Sequence, residues 1–370
     1  MEHSGFGVYV HVPFCVSKCG YCDFCSVTGR AMLGGYLSAL RSEILRSPCA
    51  GLAPRTVYFG GGTPSSVGRE AVGELLGLVA ETFDLRGVVE FTFECNPDDV
   101  DGGLAEALAA GGVNRVSMGA QSLCDEALRM MGRRHDAEQV RRAVGVLRGV
   151  GFRNVSVDCI FGLPKVEGYS ARRDFETFAA LGVEHLSAYA LSYEPGSRFS
   201  KMVADGRLSP LPDDDVSEQY RELCDVLRGA GYSHYEISNF ARPGFEAVHN
   251  SSYWDRTPYF GFGPSASSFC GGVRTTNTMD VGEYVSTAGE AKSLREELSA
   301  EEVYEEVVML GLRTSRGVSL ADVPPGYGER FARNAATEVE RGNLAQVSER
   351  FVIPERRWFV ADGIIGRLLA

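Results

Sequence analysis

Three cysteines near the start of the chain, Cys15, Cys19 and Cys22, stand in a CxxxCxxC spacing, with Pro13 and Gly20 around them and no helical periodicity. Thiolates bind soft and borderline metals, so three on one loop point to a metal centre. The other seven of the ten cysteines (Cys25, Cys49, Cys95, Cys124, Cys159, Cys224 and Cys270) lie scattered or beside these three, with no ligand spacing of their own. A structural zinc site normally takes four ligands, often from two CxxC knuckles, and no second knuckle is present. An iron-sulfur cluster ordinarily takes four cysteines. Three would leave one iron open to a non-protein ligand, and that open iron is where chemistry would occur.

The surround comes from strand ends. Gly60, Gly61 and Gly62 close one β-rich run, and Thr63-Pro64-Ser65 then opens a helix. A strand-to-helix turn explains one glycine and the cap. Three in a row imply that backbone must approach a ligand. No Gly-Lys-Ser/Thr follows, which argues against a phosphate loop. Glu94, Gln121 and Asp158 stand at or near the ends of three more runs. Each alone reads as a cap or turn residue, and together they read as a site at one edge of a sheet. Tyr9 and Tyr21 flank the cysteine loop and read equally as packing or as contacts.

The elements that must position these residues follow from periodicity. Six short β-rich runs, Val8 to Val12, Thr56 to Gly60, Glu90 to Glu94, Arg115 to Gly119, Asn154 to Ile160 and His185 to Leu191, alternate with amphipathic stretches. Helices are predicted at Tyr36 to Leu45, Ala71 to Phe83, Leu104 to Ala110, Ala137 to Leu147 and Ser170 to Leu181. Such alternation makes a parallel sheet whose post-strand loops share one edge. Six units fall short of the eight of a closed barrel, so an open partial (βα)6 barrel is expected. Beyond the Pro/Asp-rich stretch from Ser209 to Asp215 the pattern changes to a helix from Val216 to Ala230 and an aromatic-rich segment. Helices are predicted again at Ala300 to Leu312 and near Glu329 to Arg341, with a strand-like Phe351 to Pro354. Three parts are expected: the barrel over 1–240, a connecting segment over 241–290, and a small α+β, winged-helix-like domain over 291–370.

Length and composition bound the function. At 370 residues, 44% hydrophobic and 23% charged, the chain buries a sizeable core and is neither disordered nor fibrous. Lys and Arg number 37 against 49 Asp and Glu, a net charge of −12. That balance argues against nucleic acid or an anionic membrane as the main partner. No run of apolar residues is long enough to span a bilayer, and Met1 to Val12 has no basic stretch followed by an apolar one, so a cytoplasmic protein is expected.

Tyr9-Val-His11-Val-Pro13-Phe14-Cys15, with Cys19, Cys22 and Gly60-Gly61-Gly62-Thr63-Pro64, resembles the radical S-adenosylmethionine (SAM) superfamily, in the branch of oxygen-independent coproporphyrinogen III oxidase and its relatives. The resemblance covers nearly the whole chain. It implies a 4Fe-4S cluster on the three cysteines, SAM chelated at the open iron, and an electron donor where SAM is cleaved to a radical. It also implies SAM contacts for Gly61, Gly62, Thr63, Glu94, Gln121, Arg133 and Asp158, with Tyr9 near SAM and Tyr21 on its adenine side. An arginine suits a methionyl carboxylate by bidentate pairing, although Arg133 taken alone could be a solvated helix residue.

Two features separate the branches. The oxidases carry a further cysteine two residues after the third ligand, where this chain has Phe24; Cys25 lies one residue on and would project differently. The second is His249-Asn250-Ser251-Ser252-Tyr253-Trp254, followed by Gly261-Phe262-Gly263-Pro264. A lone histidine is more often a hydrogen-bonded turn or core residue, but a neutral imidazole is also a good axial ligand for haem iron, and flat aromatics stack on porphyrin. The HNxxYW pattern is similar to the signature of HemW-type haem chaperones. This implies haem as cargo with His249 as its contact, apo-haem proteins as recipients, and no oxidase activity. The rival reading is a coproporphyrinogen III oxidase. A purely structural iron-sulfur protein leaves the glycine triplet and the strand-end polar set unexplained.

Overall fold

Apolar residues alternate with polar or small ones along each of the six predicted strands, and that parity decides which way each side chain faces. In β1 (Gly7–Val12), Val8, Val10 and Val12 are fully buried, while Tyr9 and His11 point to the opposite side. The same parity runs through β2 (Thr56–Gly61), β3 (Glu90–Cys95), β4 (Arg115–Gln121), β5 (Val155–Phe161) and β6 (His185–Ala190). The apolar side packs on α1 (Leu33–Arg46), α2 (Arg69–Thr82), α3 (Gly102–Ala110), α5 (Ala137–Val150) and α6 (Ala171–Ala180). The short α4 (Asp125–Met131), which periodicity did not predict, follows β4. The polar side is the hollow of the barrel, where Tyr58, Glu94, Asp158 and His185 gather around Arg115. The computed structural model describes residues 5–370; residues 1–4 of the opening stretch lie outside it.

The six strands are parallel neighbours in sequence order, the predicted partial (βα)6 barrel. The sheet does not stop there. After α7 (Arg198–Ala204) and α8 (Asp213–Gly229), the chain adds β7 (Ser233–Glu236) and β8 (Asn239–Ala241) antiparallel beyond β6. It then forms α9 (Val248–Trp254) and returns across the barrel as β9 (Tyr259–Phe262), which pairs in parallel with β1 from Gly7↔Tyr259 to Val10↔Phe262. Strands β10 (Ser267–Cys270), β11 (Val273–Asn277) and β12 (Lys292–Glu297) extend that edge, giving twelve strands in one sheet, with α10 (Val281–Ser286) between the last two.

This pairing crosses both expected divisions of the chain. A boundary at 240/241 would cut β8, and one at 290/291 would detach β12 from the sheet that it hydrogen-bonds. The segment over 241–290 adds three strands to the barrel sheet: β9 pairs with β1 across some 250 residues of sequence, a contact that local periodicity cannot show, and β10 and β11 follow on its outer side. The change of architecture falls at Ser299, which caps α11 (Ala300–Leu312) in a capping box with Glu302. Beyond it α12 (Gly328–Glu340) and α13 (Ala361–Leu369) pack with a small sheet of β13 (Val318–Ser319), β14 (Ala345–Val347) and β15 (Arg350–Val352). Among the described residues no helix is long and apolar enough to cross a membrane.

Candidate metal centre at the barrel mouth

Leaving β1, the chain turns through Pro13 into the cysteine loop, which is clamped at both ends and in the middle. Phe14–Cys15 pairs with Val27–Thr28. Between them the Gly20 N–H donates to the Met131 carbonyl at 2.9 Å, and the Gly20 carbonyl accepts from the Phe199 N–H at 2.8 Å. A Cβ on Gly20 would lie 2.3 Å from the Phe199 ring, so only glycine lets α7 lie on the loop. Cys15, Cys19 and Cys22 are half-buried and free. Cys15 Sγ lies 3.4 Å from Thr63 Oγ1, and Arg133 Nη1 donates to Cys19 Sγ at 3.2 Å. Burial pushes the Cys22 thiol up, and the Cys19 and Cys15 sulfurs add to it.

The glycine triplet lets the end of β2 meet this loop. Gly61 has φ +110°, and a Cβ there would lie 2.7 Å from the His11 ring. A Cβ on Gly62 would lie 2.9 Å from the Phe14 carbonyl oxygen, and one on Gly60 2.8 Å from the Tyr58 ring. The protein itself therefore already requires all three glycines. His11 completes the clamp: its Nε2–H donates to the Cys25 carbonyl at 2.9 Å, leaving Nδ1 to accept from Tyr9 Oη at 3.1 Å. Burial lowers the pKa of His11, so the ring is neutral.

Glu94, next to last in β3, has one oxygen accepting from Tyr58 Oη at 2.6 Å and the other from Gly61 N at 3.2 Å. Burial raises its pKa to about 7, against the pull of the Tyr58 bond. Burial likewise raises Asp158 to about 6, held back by hydrogen bonds from Ser187 and Ser117 and by Arg115. Gln121 has φ +67°, beside a register shift between Met118 and Gln121. A bulge at a strand end re-aims a side chain, and here the Gln121 amide folds back over Gly119 beside Arg133. Arg133 is no solvated helix residue. Its Nη2 donates to Asn96 Oδ1 at 2.7 Å and to the Gly119 carbonyl at 2.6 Å, Nη1 lies 3.5 Å from Tyr21 Oη, and buried Nε has no partner.

A cluster suits this donor set. Among the described residues the three loop sulfurs are not drawn in to the mutual 4.8 Å spacing that one ion would need; a polynuclear cluster spreads its thiolates wider. The spare Arg133 donor and the orphan Asp98 Oδ1 are unfilled polar groups beside it, and two buried carboxyls with raised pKa add acceptors, as a zwitterionic cofactor requires.

His249 lies elsewhere. It sits on α9 at the opposite end of the barrel, where Glu90 caps the helix by accepting from Val248 N at 2.7 Å and His249 N at 3.0 Å. The side chain is fully buried, its ring stacked on Tyr58 at 5.1 Å. Its Nδ1 is 2.8 Å from Thr56 Oγ1 and its Nε2 is 2.8 Å from Tyr253 Oη. Burial lowers its pKa to about 3, so the ring is neutral and its single lone pair is taken by one of those hydroxyls. In this conformation both ring nitrogens are engaged by hydroxyls, so His249 would have to part from Thr56 or Tyr253 before either nitrogen could meet a haem iron. Trp254, next in the chain, lines a cavity of about 410 Å³ between α9 and the C-terminal module, with Tyr235, Arg256, Arg316 and Arg350. Gly261 and Gly263 serve packing, since Cβ atoms there would lie 2.1 Å from the Ser267 carbonyl oxygen and 2.4 Å from that of His11.

Tyr58 and Arg115 belong to this neighbourhood although no motif marked them, and so do His11 and Asn96, which stand beside motif residues and had no site role assigned. Tyr58, Arg115 and His11 occupy inward positions of β2, β4 and β1, and polar residues recurring every second place within buried parallel strands were the available signal. Asn96, just past β3, gave no such signal.

Residues 9–168 match the family model described as the Radical SAM superfamily. The chain is 36% identical over 380 residues to the haem chaperone HemW of Mycobacterium tuberculosis, covering 100% of this chain and 96% of that protein. It is 38% identical over 313 residues to the haem chaperone HemW of Lactococcus lactis, covering 84% and 82%. The solved structure of the Escherichia coli coproporphyrinogen III oxidase (HemN), a radical SAM enzyme, superposes with a TM-score of 0.84 over 98% of this chain and 90% of that one. At 23% identity this is a likeness of fold.

Proposed function

The chain belongs to the HemW family of radical SAM proteins, and from that premise we propose that it is a haem chaperone, carrying haem to haem proteins and holding a 4Fe-4S cluster and SAM. The observation that carries the reading is the whole-length similarity to a protein named as a haem chaperone. When bound, the cluster supplies an open iron for SAM and an electron where a donor provides one. Cys15, Cys19 and Cys22 hold it, and Arg133 places positive charge against Cys19 and presents an unused Nε–H. Glu94, Gln121 and Asp158 offer acceptors for the amino and hydroxyl groups of SAM, with Thr63 beside Cys15. Tyr9 keeps the loop in register through His11, and Tyr21 forms the wall next to Arg133.

Haem is proposed to sit at the other end, in the cavity beside Trp254. An indole there can stack on a porphyrin and the arginines can pair with propionates, although Arg350 and Arg316 now face Asp322. The oxidase reading is weaker. Phe24 stands where the oxidases have a thiol and is 64% exposed, and Cys25 Sγ donates to the Met279 carbonyl. All ten cysteines are free, which suits a reducing cytoplasm. After anaerobic reconstitution, a haem titration should saturate, while SAM, reductant and coproporphyrinogen should yield no protoporphyrinogen. Oxidase turnover, or a failure to bind haem, overturns the proposal.

A further inference from the structure

Where the barrel meets the C-terminal module, three side chains from three elements come together. Cys224 of α8 is buried, the side chain of His234 of β7 is only 4% exposed, and Glu355 begins the turn after β15 in the C-terminal module. Their ligating atoms all lie within 4.8 Å of one another, with Cys224 Sγ 3.8 Å from His234 Nδ1 and His234 Nδ1 2.9 Å from Glu355 Oε1. We propose that Cys224, His234 and Glu355 form a binding site for a divalent zinc-type ion that joins the barrel to the C-terminal module.

The donor chemistry is that of zinc: one thiolate, one imidazole and one carboxylate, borderline in softness and able to surround an ion that accepts tetrahedral geometry. Bonds of about 2.0 to 2.3 Å to each ligand put ligand atoms between about 3 and 4 Å apart, so the present spacings need only small shifts. The groups that would orient the ligands are in place as well. A zinc-bound histidine usually donates its other N–H to a carbonyl or carboxylate. His234 Nε2 lies 3.4 Å from the Ile237 carbonyl, which also accepts from Tyr220 Oη at 2.9 Å. The ring is fixed by stacking on Phe240 at 3.9 Å and by the edge contact of Trp358 at 4.3 Å. Arg228 holds the second oxygen of Glu355 and leaves Oε1 for the ion. The ion would take the place of the proton between His234 Nδ1 and Glu355, that proton passing to Nε2 to face the Ile237 carbonyl, and would release the one on Cys224. A cavity of about 350 Å³ adjoins all three residues and gives water access to the fourth position.

The test uses the full-length protein, anaerobically reconstituted so that iron fills the loop cysteines, then equilibrated with Zn²⁺ and analysed for metal content and by X-ray absorption at the zinc edge. One zinc per chain is expected beside the iron, with a single sulfur in its coordination shell. Cys224→Ser should remove the sulfur signal and weaken zinc binding by about tenfold or more, the scale seen even for lost second-shell partners. Glu355→Gln should weaken it without removing the sulfur. Iron content, which neither substitution touches, reports that the variants fold. Wild-type protein that retains no zinc, or a Cys224→Ser variant that binds it equally well, overturns the proposal and leaves the trio a hydrogen-bonded contact.

Discussion

Replacing Glu90 with glutamine tests whether α9 works from the far end of the barrel. Glu90 is 3% exposed, and its two oxygens accept from Val248 N at 2.7 Å and His249 N at 3.0 Å. Glutamine keeps one acceptor and turns an NH2 group toward the other amide. A hydrogen bond to a charged group contributes about 1.5–3 kcal/mol, and a buried donor left unpaired costs about 1–3 kcal/mol. Glu90→Gln should therefore lose about 3 kcal/mol, felt where α9 docks. If only half of that reaches the haem site, affinity falls about tenfold, since each 1.4 kcal/mol is a factor of ten. The assay is a haem titration by absorbance on reconstituted protein, with iron analysis in parallel. Haem binding should weaken by tenfold or more while iron content stays at the wild-type level, because the cysteine loop is at the opposite strand ends. Unchanged haem affinity would refute the placement of haem beside α9, and equal loss of iron would refute the separation of the two ends.

Gly61→Ala places a Cβ at φ +110°, 2.7 Å from the His11 ring. Backbone strain of about 1–3 kcal/mol and overpacking of similar size should lower the unfolding midpoint and the iron retained on reconstitution; full retention with an unchanged midpoint counts against the packing account. Glu94→Gln tests a pH dependence. With its folded pKa raised to about 7 from the ordinary 4.5, Glu94 favours the folded state fully below pH 4.5 and loses that contribution as pH rises through 7, about 3 kcal/mol at 1.36 kcal/mol per unit. Without SAM, the wild type should thus lose more thermal stability between pH 5 and pH 8 than the Glu94→Gln variant does; parallel pH profiles for the two proteins would contradict this.

Much of this was legible because it is local. The alternation of Val8, Val10 and Val12 with Tyr9 and His11 marks a strand buried on one side, and the other five strands carry the same mark, so the barrel and its loaded edge follow from periodicity. The cysteine triplet announced itself by spacing. The position of His249 did not, because what makes α9 a helix is the carboxylate of Glu90, remote in sequence, and what buries the ring is Tyr58. Arg133 was ambiguous for a similar reason: its partners Cys19, Asn96 and Gly119 come from three other elements. The Cys224 group depends on Glu355, more than a hundred residues away, and no pattern links them.

The pairing of β9 with β1 sets an order of assembly in time. Gly7 to Val10 are made first, yet their outer neighbour, Tyr259 to Phe262, is made some 250 residues later. At about 5–20 residues per second, the edge of β1 stays uncovered for roughly 10 to 50 s of synthesis, while β2 to β6 can already pair on its other side. During that interval the clamps on the cysteine loop from Val27–Thr28, Met131 and Phe199 can already form, while the Gly263 turn that rests on the His11 carbonyl does not yet exist. A nascent chain halted before residue 259 would present the three thiols on a frame whose outer β1 edge is still open.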